Sequence, residues 1–242
     1  MAEAGENSNG NSYGNSYGHS YGHSDNRKGK YTHIVWDFNG TVLDDVELGI
    51  RCVNEMLEKR GLTPIPDAAA YREIFRFPII AYYRSLGFNF DKEDYYTVLA
   101  PEWVAHYLAG EGQCPMMPGV RETLEKIKRA GIVQVMISAT EVNQLLNQLN
   151  RLGIRDSFEE ILGLDNIHAG SKREVAQDWA GRHPDAVPLF VGDTVHDAEV
   201  ADAVGADCVL YTGGHQSEKR LSQLGKPLIH RIPELPAYLG IE

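Results

Sequence analysis

From Tyr31 onward, short runs of apolar residues alternate with stretches whose apolar positions recur at helical spacing. Residues 32–38 read as a buried strand ending on Asp37, and Val46, Ile50, Val53 and Leu57 then repeat as one face of a helix requires. A helix is predicted from Val120 through Leu124 and Ile127 to a stop at Gly131, followed by a strand over 132–138. Val142, Leu145, Leu149 and Leu152 give the next helix, stopped by Gly153. Further on, strands are expected at 161–162, 187–192 and 207–211, with an edge strand at 228–229 and helices at 172–179 and 198–204. This alternation predicts an α/β fold, a doubly wound parallel sheet with helices on both faces.

Residues 44–115 break the rhythm. They hold aromatic-rich helical stretches at 71–77, 79–86 and 95–108 and no strand, so they read as a helical cap inserted into a core made of 31–43 and 116–242. Pro115-Met116-Met117-Pro118-Gly119 has the composition of the return hinge. Residues 1–30 differ in kind: Asn11-Ser12-Tyr13-Gly14 recurs as Asn15-Ser16-Tyr17-Gly18 and then as His19-Ser20-Tyr21-Gly22. A repeat without aliphatic side chains cannot offset the entropy of ordering, which predicts a disordered, solvated tail with no catalytic role.

Composition narrows the function classes. A net charge of −11 argues against nucleic-acid and anionic-membrane partners, both of which reward clustered Lys and Arg. No apolar run approaches the roughly 20 residues that span a bilayer. Cys52, Cys114 and Cys208 are widely spaced and unpaired in pattern, which fits a reducing cytoplasm better than a disulfide or zinc framework. Nothing in the sequence fixes an oligomeric state.

Candidate chemistry follows from a rule of open α/β sheets: ligands bind outside the carboxyl ends of the strands. The polar residues predicted there are Asp37 and Asn39, Ser138, and Asp193 with Asp197, while Lys172 opens the helix after the third strand. Carboxylates converging on one point repel unless a cation holds them, and hard oxygen ligands beside phosphate indicate Mg²⁺. A hydroxyl and a lysine next to them suit phosphoryl oxygens.

Asp37-Phe38-Asn39-Gly40-Thr41-Val42, Ser138 after Val135-Met136-Ile137, Lys172 before a helix, and Gly192-Asp193-Thr194-Val195-His196-Asp197 resemble, in order, the four motifs of the haloacid dehalogenase-like hydrolases. The resemblance covers the chain from Tyr31 to its end. It implies that Asp37 attacks phosphorus and carries an aspartyl-phosphate. It also implies that Asp37, the Asn39 carbonyl and Asp193 hold Mg²⁺ with support from Asp197. Ser138, Lys172 and the backbone N–H groups of Phe38, Asn39 and Ala139 would cradle the phosphoryl group. A cap between the first and second motifs suits the subclass of phosphoglycolate phosphatases and β-phosphoglucomutases. The implied function is hydrolysis of a small phosphorylated metabolite, with a phosphomutase or a catalytically silent Mg²⁺/phosphate-binding regulator as alternatives.

One position departs from the pattern. The family's second acid in the first motif donates a proton to the leaving oxygen and then activates water; here it is Asn39. An amide donates hydrogen bonds but exchanges no proton near neutral pH. Several readings stay open: a leaving group that needs little acid help, a proton shuttle through His196 or His215, an introduced inactivating change, a sensor, or deamidation of Asn39-Gly40 to the acid. Dehalogenation is disfavoured, since the tyrosine it implies at this position is absent. Arg76 in the cap and His215 after Gly213-Gly214 are the candidates for substrate specificity, whereas Asp44 and Asp45 read as caps of the next helix.

Overall fold

A computed structural model describes residues 29–164 and 171–241. The predicted tail, apart from Gly29 and Lys30, lies outside the described residues. In chain order the regular elements begin with β1 (His33–Trp36), followed by helices α1 (Val46–Lys59), α2 (Ala68–Ile74), α3 (Ile79–Ser85) and α4 (Ala100–Gly110). Then come α5 (Val120–Arg129), β2 (Val133–Glu141), α6 (Val142–Arg151), β3 (Glu160–Leu164) and α7 (Lys172–Arg182). The chain ends with β4 (Pro188–Gly192), α8 (Val195–Ala203), β5 (Asp207–Tyr211), α9 (Glu218–Ser222), β6 (Leu228–Ile229) and α10 (Leu235–Leu239).

The strands form one six-stranded sheet in the order β3-β2-β1-β4-β5-β6, and every pair is parallel. Its faces follow from period-two alternation. Ile34, Trp36, Met136, Leu189, Val191 and Val209 belong to one core cluster, while Val35, Val135, Ile137, Phe190, Cys208 and Leu210 belong to the other. Both faces are apolar, as a parallel sheet covered by helices demands. Trp36 is in register with Met136 on one side and Val191 on the other. The residues just beyond them, Asp37, Ile137-Ser138 and Gly192-Asp193, therefore emerge together at the carboxyl edge. Strand order also reverses about β1, and that reversal opens a crevice there.

Between β1 and β2 the described chain is helical, without a sheet strand of its own. Helices α1 to α4 pack around a separate cluster that includes Val46, Val53, Met56, Leu57, Tyr83 and Leu99, whereas Val120, Leu124 and Ile127 of α5 belong to the core of the sheet. Several boundaries differ from the sequence expectation; the helix expected over 71–77 is α2, Ala68–Ile74, so that residues 75–77 lie beyond its end. β2 runs three residues past Ser138, with a register shift between Ile137 and Glu141. α8 starts at Val195 rather than 198, because Thr194 and Asp197 form a reciprocal capping box. The stretch expected to be one helix over 95–108 is a π-helical turn, Tyr95–Leu99, that runs into α4, where a proline occupies the first turn.

The end of α2 is fastened to the core. Arg72 donates from Nε to the Gly214 carbonyl (2.7 Å) and from a terminal nitrogen to that of Gly213 (3.1 Å). The Ser217 N–H donates back to the Arg72 carbonyl (3.2 Å), and Arg220 reaches the carbonyls of Glu73 (2.7 Å) and Phe75 (3.3 Å). Among the described residues no helix is long and apolar enough to cross a membrane.

Candidate active site

Asp37 follows β1 directly, and its backbone N–H is held by the Val191 carbonyl (2.8 Å). The loop behind it turns tightly: the Phe38 carbonyl accepts the N–H groups of Thr41, Val42 and Leu43. Gly40 has φ +72°, and a Cβ there would collide with the Asp193 carboxylate and the His215 ring. Glycine is thus required twice over, for backbone conformation and for close approach.

Side-chain oxygens of Asp37, Asp193 and Asp197 lie within 4.8 Å of one another. Asp193 is fully buried, accepting from the Thr41 hydroxyl (2.9 Å) and from the His215 N–H (2.6 Å). Asp197 accepts from the hydroxyl and N–H of Thr194 (2.7 and 3.0 Å). Lys172 bonds both Asp37 and Asp197. Burial, reinforced by the neighbouring carboxylates and opposed by Lys172, pushes Asp37 up to about 8. Burial and Asp197 likewise push Asp193 up to about 6 against the pull of His215. Burial also disfavours charge on Asp197, but Lys172 and Thr194 outweigh it and hold that carboxyl below its usual range. A buried set of hard oxygen donors that raise one another in this way could hold a divalent cation of the Mg²⁺ type.

Ser138 is buried beside Thr140, donating to the Thr140 hydroxyl (3.0 Å) and accepting from its N–H (3.1 Å). Asn39 sits in a network of its own. Its amide nitrogen donates to Asp45 Oδ2 (2.8 Å) and to the Tyr107 hydroxyl (2.8 Å), and its oxygen accepts from the Thr140 hydroxyl (2.7 Å). Both amide hydrogens are used, and a carboxylate could not replace the bond to Asp45.

Asp45 departs from the sequence expectation. It precedes α1 but makes no side-chain cap there. Its oxygens instead accept from the Gly40 N–H (2.8 Å), the Tyr107 hydroxyl (2.7 Å) and His215 Nε2 (3.2 Å). Burial alone would raise this carboxyl, yet His215, Tyr107 and Asn39 hold it below its usual range. Burial by itself would lower the His215 pKa, but Asp45, with Asp193 and Asp37, raises it to about 9. Nδ1 of the same ring is 2.9 Å from the Tyr71 hydroxyl. His215 is therefore an imidazolium clamped between a carboxylate and a phenol at neutral pH.

A cavity of about 330 Å³ opens over this floor. Asp37, Asn39, Ser138, Ala139, Lys172 and Asp197 line it, as do His196 and His215. Asp193 lies beneath the lining, and Phe38 turns its side chain into the core. Arg76 does not line the cavity: its Nε is buried with no hydrogen-bond partner. The neighbour that does line it is Phe77, whose ring lies 4.9 Å from that of His196. Asp45, Thr41, Tyr71, Tyr107 and Thr140 are additions that the sequence did not single out for the site.

Residues 34–211 match the family described as haloacid dehalogenase-like hydrolase. The chain is 24% identical over 209 residues to a phosphoglycolate phosphatase of Pseudomonas putida, covering 84% of this chain and 74% of that protein. It is also 24% identical over 211 residues to phosphoglycolate phosphatase 1 of Pseudomonas aeruginosa, with the same coverage. Among solved structures, a haloacid dehalogenase-like family hydrolase of Streptococcus pneumoniae superposes with a TM-score of 0.73 at 20% identity, covering 87% of this chain and 99% of that one. The match spans β1 to β5, the helices between β1 and β2, and the acidic floor alike, and the chain belongs to the haloacid dehalogenase-like hydrolases.

Proposed function

We propose that the protein is a cytoplasmic Mg²⁺-dependent phosphatase that hydrolyses a small phosphorylated metabolite through a phosphorylated Asp37. The observation that carries this reading is the meeting of Asp37, Asp197, Lys172 and Ser138 at one cavity, with Asp193 directly beneath. The acidic triad and the Asn39 carbonyl would hold Mg²⁺, which supplies charge neutralisation for the phosphoryl oxygens. The likeness to phosphatases named for phosphoglycolate supports phosphoester chemistry.

In the first step an Asp37 oxygen forms a bond to phosphorus while the bond from phosphorus to the leaving oxygen breaks, its electron pair going to that oxygen. In the second, a water oxygen bonds phosphorus, the Asp37–phosphorus bond breaks, and phosphate and a proton are released. Lys172 and the Ser138 hydroxyl neutralise and orient the transferring group. The helices of residues 44–115 exclude bulk water over the site. Asn39 donates no proton to either step, so hydrolysis is slowed and selective for good leaving groups.

The test is Mg²⁺-dependent phosphate release from acetyl phosphate, with mass spectrometry of the enzyme during turnover. Phosphate release and a phosphorylated Asp37 peptide are expected. Neither signal, with Mg²⁺ still bound, would instead support a catalytically silent Mg²⁺/phosphate-binding regulator. The fully used amide of Asn39 favours that second reading. Retention of phosphate on a hexose phosphate product would identify a phosphomutase.

A further inference from the structure

The wall of the cavity opposite the acidic floor is made by the helical insertion, and it is aromatic. Phe75, Phe77, Tyr82, Tyr83, Trp103 and Tyr107 all line it. Their rings support one another: Phe75 meets Phe77 at 5.6 Å and Tyr82 at 5.3 Å, and Trp103 stacks on Tyr107 at 4.8 Å. Such a wall presents ring faces and edges to whatever is attached to the phosphoryl group.

Charge is arranged to exclude an anionic substrate body. Among the described residues no arginine lines the cavity, and the lysine that does, Lys172, is bound to Asp37 and Asp197. None of the insertion's arginines is among the lining residues, Arg76 included, whose buried Nε has no hydrogen-bond partner. Arg72 holds the carbonyls of Gly213 and Gly214, Arg60 pairs with Glu93 and Glu102, and Arg84 lies over the Phe90 ring. His215 is committed to Asp45, so its charge is already matched. Segment 165–170 contributes no lysine or arginine either, since it reads Asp-Asn-Ile-His-Ala-Gly. A carboxylate against this wall would lose its hydration and meet no lysine or arginine on the lining other than the engaged Lys172.

A further observation points to a single polar contact on this wall. Tyr82 lines the cavity, and its buried hydroxyl has no hydrogen-bond partner. A buried unpaired hydroxyl carries a cost that one polar atom of a ligand relieves.

We infer that the substrate is a phosphate ester of an uncharged, ring-bearing hydroxyl compound, an aryl phosphate above all, held by the aromatic wall and not by a cation. This rests on the phosphatase reading, and Asn39 supports it independently. Without a proton donor, the leaving oxygen departs as an anion and takes its proton from water afterwards. A phenolic oxygen, with a pKa of about 10, tolerates this far better than an aliphatic alkoxide, whose pKa lies near the 15.7 of water. A small carboxylated alkyl phosphate lacks both a cation for its carboxylate and an acid for its leaving oxygen.

Two measurements separate the substrate class from the activity itself. The first is binding, by titration calorimetry in the presence of Mg²⁺, of two unreactive probes: phenylphosphonate and phosphonoacetate. Phenylphosphonate is expected to bind tighter by about tenfold or more, the scale on which an apolar pocket discriminates. Phe77→Arg, at an exposed position on the cavity rim, is expected to narrow or reverse that ratio. Equal binding, tighter phosphonoacetate or no binding of either overturns the inference whatever the turnover. The second is phosphate release from 1-naphthyl phosphate, phosphoglycolate and acetyl phosphate. Turnover of acetyl phosphate with phosphoglycolate preferred to the naphthyl ester overturns the substrate class and leaves the phosphatase standing. Absence of turnover on all of them sinks the phosphatase reading and the substrate with it, while the phosphonate ratio reports separately on which ligand the wall selects.

Discussion

Replacing Asn39 by aspartate puts a carboxyl where an amide is fully bonded. The amide nitrogen is 2.8 Å from Asp45 Oδ2, and the new oxygen would take that place. Two full charges at that separation repel by about 6 kcal/mol at an effective dielectric of about 20. His215, already paired with Asp45, discounts part of this. The remainder still pushes a carboxyl of ordinary pKa near 3.9 into the range of about 6–8, because the proton is the cheapest way to remove the clash. Asn39→Asp therefore installs a carboxylic acid that is protonated near neutral pH and bonded to Asp45, which is the state a general acid needs. The expected gain on alkyl phosphates is about 10²–10⁴-fold in kcat, equivalent to roughly 2.7–5.4 kcal/mol of barrier. The gain on acetyl phosphate should be much smaller, since its leaving group needs little help. The variant's rate on alkyl esters should fall on the alkaline side as the acid titrates. Adding Asp45→Asn should move that fall to lower pH. Steady-state kinetics between pH 5 and 9 on both esters reads all of this. A folded Asn39→Asp protein with no gain on alkyl phosphates would refute the assignment of Asn39 as the missing acid.

Other expectations follow from neighbouring contacts. Thr41 bonds Asp193 from outside the cluster, so Thr41→Val should weaken Mg²⁺ binding by about 10–100-fold in calorimetry, whereas an unchanged affinity would detach Asp193 from the metal. The His215 pKa, raised from 6.5 to about 9, contributes stability that is complete below about 6.5 and is lost as pH rises through 9. Urea denaturation should accordingly show stability falling by about 2–3 kcal/mol across that window, and His215→Gln should flatten the slope. Arg60 bridges Glu93 and Glu102 with near-ideal distances of 2.6–2.7 Å, and both it and Glu102 are largely buried. Arg60→Ala should cost about 1.5–3 kcal/mol, read as a lower Tm with little change in acetyl phosphate turnover.

The sheet and its chemical edge were legible because they are local. A strand that is apolar on both faces announces itself as a run, and Asp37, Ser138 and Asp193 each follow such a run directly. Register then brings them together without further information. The surroundings of Asn39 were not legible, since Asp45, Tyr107, Thr140 and His215 converge from four separate segments. Asp45 also carried a local signal that misled: an acid before a helix reads as a cap, and tertiary bonds won over that propensity. The aromatic-rich stretches of the insertion were legible as such, but which rings line the cavity depends on tertiary packing that local sequence does not carry. Arg76 was a candidate for specificity, but in the link between α2 and α3 it is Phe77 that lines the cavity.

The fastening of α2 to the segment 213–220 makes the end of that helix a part of the core. Rotating all the helices between β1 and β2 as one body about the two chain crossings would strip Arg72, Ser217 and Arg220 of their partners at once. Each such bond is worth about 1 kcal/mol or more, and those to guanidinium groups are the stronger ones. Tyr71 in α2 and Phe75 at its end are thus held by the same segment that carries His215, so the part of the aromatic wall nearest the acidic floor is set by the core rather than by the insertion alone.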